Sequence, residues 1–156
     1  MIHHTAIISK NAEVDKDVFI GPYCVIEGNV KIQKGTELIS HVNISGNTLI
    51  GQNNKFFPFS SIGQVPQDKK FKGEDSKLII GNNNIIREHV TINPGTKDGG
   101  MITKIENNCL IMIGSHIAHD CFISSNVVLV NNSILGGHVQ IAENAIIGGN
   151  SAVHQF

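Results

Sequence analysis

The sequence predicts a parallel β-helix, in which short flat strands wind into a prism and the residue pattern repeats every six positions. Three observations carry that prediction. Stepping by six from Ile8 gives Ile8, Val14, Ile20, Ile26, Ile32, Leu38, Ile44, Ile50, Phe56 and Ile62, all apolar. The series resumes at Ile80, Ile86 and Ile92, slips by one residue, and then runs from Ile105 through Ile117 and Leu135 to Val153. The position four residues after each is small or β-branched, as at Ala12, Val18, Cys24, Val30, Cys109, Cys121 and Ser133, with Asn54, Pro66 and Asn84 as exceptions. Finally, asparagine-rich runs at Gln52-Asn53-Asn54, Asn82-Asn83-Asn84, Asn107-Asn108 and Asn131-Asn132 fall between the strand-like segments. Asn tolerates left-handed backbone angles and bonds its own backbone, so it suits a repeated corner. A helical stripe would need apolar residues at i+3 and i+4, whereas i+3 here holds mostly Asn, Gly, Asp or His.

Each part of the pattern has a structural meaning. The large apolar residue of every hexad fills the interior, and the small one packs beneath the corner. The period by itself does not set the number of walls or the hand. The hexads resemble the left-handed parallel β-helix of the hexapeptide-repeat acyltransferases, an all-β fold in which three hexads make one triangular coil. That resemblance implies about seven coils in a single domain spanning 1–156, in a prism roughly 35 Å long.

Composition agrees and excludes several function classes. The chain has 156 residues, the length of one ordinary domain. Hydrophobic residues make up 40%, with no Trp and one Tyr, so the core is built from small and branched side chains. The net charge of −1 supplies no field that would attract nucleic acid, and none is expected as a partner. The longest apolar run, Cys109–Ile113, is too short to cross a bilayer, so no membrane span is expected. The start, MIHHTAIISK, lacks the basic and long apolar segments of a signal peptide, which points to a cytoplasmic protein. Its three cysteines all occupy the small i+4 position and read as reduced, buried hydrophobes.

Two segments leave the hexad pattern: QDKKFKGEDSKL at 67–78 and TKDGGMITK at 96–104. A closed repetitive prism has no cleft of its own, so such departures are where function should be sought. Either could instead be a tolerated surface insertion. Lys69, Lys70 and Lys72 make the first locally basic, which suits a phosphate or a solvated loop.

The other concentration of chemistry is GSHIAHDC at 114–121. His3 and His4 sit at the start of the chain, and His41 and His89 occupy i+3 positions, where a surface role is expected. His116, His119, His138 and His154 fall within about two coils. With three hexads per coil, His119 lies beside Gly137 and, a coil further, Gln155, while Asp120 lies beside His138. Neighbouring positions are then about 4.8 Å apart. An imidazole with a carboxylate orienter and a glycine N–H nearby has the parts that acyl transfer needs. Two alternatives stay open: decoration of a regular fold, and a metal site. Some hexapeptide-repeat proteins are zinc carbonic anhydrases with three histidines drawn from adjacent subunits. Their close pair stands five residues apart, whereas here the spacing is three and an acid follows.

HIAHDC, together with SIGQVPQDKKFKGE (61–74), IGNNNIIREHVTINPGT (80–96), GGHV (136–139) and IIGGNSAVHQF (146–156), resembles one family in particular. It is the family of UDP-N-acetylglucosamine O-acyltransferases that begin the synthesis of lipid A, the lipid anchor of lipopolysaccharide. The resemblance implies transfer of a (3R)-hydroxyacyl chain from acyl carrier protein to the 3-hydroxyl of UDP-N-acetylglucosamine, with no cofactor and no metal. It implies that His119 is the general base, Asp120 its orienter and Gly137 the oxyanion donor. Gln67, Asp68 and Lys70 correspond to substrate contacts in the protruding loop. His116, His138, His154 and Gln155 correspond to residues lining the same cleft, which in the family lies between subunits of a homotrimer. Two departures stand out. Asn93 occupies a position where some relatives have histidine. The hexads are still running at Val153, three residues before the last residue printed, whereas relatives continue through further coils into a helical C-terminal domain. The expectation is therefore a C-terminally truncated enzyme without that domain, with an inactive trimer-forming remnant as the alternative.

Overall fold

The computed structural model describes all residues, Met1–Phe156. Its strands form three parallel sheets of eight, seven and seven strands, and each strand pairs with the third one on. Thus β1 (Ile7–Ile8) pairs with β4 (Val25–Ile26), which pairs with β7 (Asn43–Ile44). The chain visits three walls in turn, so the walls close into a prism. The only helical piece is a 3-10 turn at Lys97–Gly99, and no helix is long and apolar enough to cross a membrane.

The register explains the two departures. Within regular coils the partners are 18 residues apart, as in Ile7↔Val25. Ser61 instead pairs with Thr91, and Thr91 with His116, separations of 30 and 25. The first insertion therefore adds two whole hexads and keeps the phase. The second adds one hexad and one residue, which is the slip seen in the sequence. Both close slightly earlier than the pattern suggests. The wall resumes at β11 (Lys77–Ile80) and β14 (Ile102–Ile105), so the last residues of 67–78 and 96–104 are already strand.

The hexad positions do what their chemistry requires. Ile20, Ile26, Ile32, Leu38, Ile44, Ile50 and Phe56 are wholly buried along the axis, as are Ile86, Ile111 and Leu129 further on. Val18, Cys24, Val30, Cys109 and Cys121 pack beneath the corners. Burial pushes all three thiols up, Cys121 to about 11, so they are protonated packing groups. Asn53, Asn83, Asn108, Asn126, Asn132, Asn144 and Asn150 turn the corners with positive φ. One corner instead carries Tyr23, His41, Phe59 and His89 at positive φ, with successive rings 5.0–5.3 Å apart. Contact between rings on successive coils offsets part of the cost of αL in bulky residues.

The exceptions at Asn54 and Asn84 form a buried ladder. Asn54 Nδ2 donates to Gly81 O at 2.8 Å, and Asn84 N donates to Asn54 Oδ1 at 2.9 Å. One coil on, Asn84 Nδ2 donates to Glu106 O at 2.9 Å and Cys109 N to Asn84 Oδ1 at 2.8 Å. These amides satisfy backbone groups that a small apolar residue would leave unpaired. Asn84→Leu, which keeps the branching but replaces the amide with methyl groups, is expected to lower stability by about 2–4 kcal/mol. Thermal unfolding checks this, and an unchanged melting temperature would show that the ladder is dispensable.

Candidate functional site

The site is built on the corner after β16 (His116–Ile117). Ile117 points inward and is wholly buried, which turns His116 out of the wall and carries His119 and Asp120 onto the corner. Asp120 takes the left-handed corner conformation, φ 60, which a short polar side chain tolerates. His119 Nδ1 lies 2.8 Å from Asp120 Oδ2, and the two side chains are 10% and 0% exposed. Against an ionised carboxylate, Nδ1 carries the proton and donates, leaving Nε2 with a free lone pair.

The carboxylate is itself held. Thr96 N–H donates to Asp120 Oδ1 at 2.8 Å, and the Thr96 hydroxyl donates to Oδ2 at 2.5 Å. Asp120 N–H donates to Thr103 Oγ1 at 2.8 Å. On the next coil, Gly137 presents bare backbone to the imidazole. A Cβ there would fall 2.5 Å from His119 Cε1 and 2.7 Å from Nε2. His138 N–H donates to His119 O at 3.0 Å, and its ring meets that of His119 edge-on with centroids 5.1 Å apart. Phe156 stacks on the His138 ring at 4.9 Å.

Above this corner lies a cleft of about 440 Å³. The first insertion supplies Gln67, Asp68 and Lys70, the corner supplies His119 and His138, and the last coil supplies Gln155. With Lys69, seven of the residues singled out in the sequence are thus brought to one cavity, and Gly137 packs on the ring of one of them. His116 and His154 are not among the residues lining this cleft in a single chain. His116 Nδ1 is 2.7 Å from Thr91 Oγ1, and burial holds its imidazole below the usual value. His154 Nδ1 is 2.9 Å from Gln155 O at an exposed position. Asn93 is buried, with Nδ2 donating to Gln64 O at 3.0 Å and Oδ1 without a partner.

Sequence reasoning missed Thr96, Thr103 and Asp98. Asp98 borders the cleft and lies 3.7 Å from Lys70 Nζ, a pair too exposed to contribute much stability. The 96–104 departure was visible as a segment, but its contact with Asp120 depends on how the extra hexad folds back.

Donor atoms of His119, Asp120 and His138 lie within 4.8 Å of one another, a set that suits a transition metal. Asp120 Oδ2 already accepts from the Thr96 hydroxyl and His119 Nδ1–H, so an ion taking that oxygen would have to displace one of those bonds. As a hydrogen-bonded imidazole–carboxylate pair the arrangement is complete.

Prism, corner pair and insertion cleft together define a hexapeptide-repeat β-helix protein. No protein-family model matches the chain. It is 58% identical over 120 residues to an acyl-[acyl-carrier-protein]–UDP-N-acetylglucosamine O-acyltransferase of Thermodesulfovibrio yellowstonii, a match covering 77% of this chain and 46% of the relative. The solved UDP-N-acetylglucosamine acyltransferase of Francisella novicida superposes on all of this chain and 57% of its own, with a TM-score of 0.98 at 46% identity. The Acinetobacter baumannii structure gives a TM-score of 0.98 at 50% identity, over 99% of this chain and 60% of that one. The chain is a homologue of these acyltransferases over the part it spans and shares their left-handed β-helix. It spans about half the length of the curated relatives it matches.

Proposed function

We propose that this chain transfers a (3R)-hydroxyacyl group from acyl carrier protein to the 3-hydroxyl of UDP-N-acetylglucosamine, the first step of lipid A synthesis. The observation that carries the reading is the His119–Asp120 pair, set beside Gly137 and beneath the first insertion, in a chain homologous to enzymes named for that transfer. His119 Nε2 takes the proton of the sugar 3-hydroxyl as its oxygen attacks the thioester carbonyl. Asp120 keeps Nδ1 protonated and stabilises the imidazolium. Gly137 N–H has no hydrogen-bond acceptor within the chain and is free to donate to the developing oxyanion. Collapse of the tetrahedral intermediate expels the thiolate, and the imidazolium proton passes to it. The product is an ester on the sugar and a free carrier-protein thiol.

In this reading Gln67, Asp68 and Lys70 hold the sugar nucleotide over the corner, with the Lys70 ammonium suited to a phosphate. The working form is a homotrimer whose cleft is completed by a neighbouring subunit, where His116 and His154 join the lining. Asp68→Ala is expected to raise KM for UDP-N-acetylglucosamine about tenfold, the loss of one charged hydrogen bond, with little change in melting temperature. Steady-state kinetics and thermal unfolding check this together. A large melting shift with unchanged kinetics would make the insertion a structural element and remove its substrate role.

A further inference from the structure

The second insertion has a role that the hexad fold does not require. It makes the coil from Thr91 to His116 seven residues longer than a regular one, and its first residue, Thr96, returns to the Asp120 carboxylate. We infer that Thr96 is the positioning residue of the His119–Asp120 pair: it sets the plane of the carboxylate so that Oδ2 faces His119 Nδ1.

The geometry is specific. One residue grips both oxygens, with its N–H on Oδ1 at 2.8 Å and its hydroxyl on Oδ2 at 2.5 Å. Two bonds from one residue to the two oxygens stop rotation about Cβ–Cγ. Oδ2 keeps one further direction for a donor, and His119 Nδ1 occupies it at 2.8 Å. Burial makes the grip necessary. Thr96 is 3% exposed and the Asp120 side chain has no exposed surface. A buried carboxylate is costly unless donors compensate it. Space adds a third observation. A Cβ on Gly99 would fall onto the Asp120 carboxylate, and one on Gly95 would come within 2.8 Å of Oδ1. The insertion closes this tightly because both positions are glycine. Thr103 completes the hold by accepting the Asp120 N–H.

The catalytic part of this inference rests on the proposed acyl transfer; the structural part does not. Thr96→Val keeps the shape and the backbone N–H but removes the hydroxyl, and Thr96→Ser restores it. Nitrogen NMR of the ring of His119 in labelled protein reads the tautomer directly. The parent is expected to hold the proton on Nδ1. Thr96→Val is expected to mix the tautomers and lower kcat about 10- to 100-fold, the scale of a misplaced catalytic group. KM for UDP-N-acetylglucosamine should stay within threefold, and Thr96→Ser should keep the parent tautomer and rate. Should Thr96→Val fail to fold, Thr96→Ala decides, because it removes the same hydroxyl with a smaller side chain and keeps the backbone N–H. It is expected to disturb the His119 tautomer in the same way. A folded Thr96→Val, or Thr96→Ala in its stead, with the parent tautomer overturns the inference. A shifted tautomer in a chain whose parent form transfers no acyl group would uphold Thr96 and remove the acyl-transfer reading.

Discussion

His119→Ala is expected to lower acyl transfer by about 10²–10⁴-fold, the loss associated with a general base, with the melting temperature close to that of the parent. Kinetics alone would not separate a lost base from a damaged site, so the fold must be monitored beside the rate. The geometry predicts that it survives. His119 sits at a corner rather than on the prism axis, and its backbone O accepts from His138 N–H whatever side chain is present. What goes is the only group with both an Asp120 bond on one ring nitrogen and an open cleft at the other. A folded variant with activity within threefold of the parent would exclude His119 as the base.

Gly137→Ala carries the second large effect, and it tests position rather than chemistry. The three nearest atoms to a Cβ at this position all belong to the His119 ring, at 2.5, 2.7 and 3.0 Å. Contacts that short force the ring to shift, because the atoms nearest the methyl group are side chain and not backbone. A displacement approaching 1 Å at a catalytic group costs about 10²-fold. The expected result is a loss of that size in kcat, little change in melting temperature, and an imidazole tautomer that moves with the ring. Unchanged kinetics would mean that the ring yields without consequence, and Gly137 would then be needed for neither ring placement nor backbone approach.

The fold was legible because its rule is local. A two-residue strand and a corner repeat within six residues, so the inward Ile or Leu, the small residue beneath the corner and the Asn that turns it recur where the eye can count them. The hand and the three walls were not in that count and required the family resemblance. Stacking followed once the coil length was known, which is why His119 could be set beside Gly137 before any coordinates. Thr96 is different. It lies 24 residues from Asp120, and that contact exists only because an irregular segment folds back by an amount no period encodes. The Asn54–Asn84 ladder looked like a blemish in the pattern for a related reason. Its meaning lies in backbone groups on the neighbouring coils, and a single hexad does not display them.

The most direct measurement is the product itself. The chain would be incubated with a (3R)-hydroxyacyl carrier protein and UDP-N-acetylglucosamine, and the acylated nucleotide located by mass spectrometry and NMR, with the His119→Ala variant alongside. The expected result is a single ester on the 3-hydroxyl of the glucosamine, formed by the parent and absent from the variant. Free hydroxy acid without sugar ester, or equal ester from both proteins, would contradict a His119-based transfer to that hydroxyl.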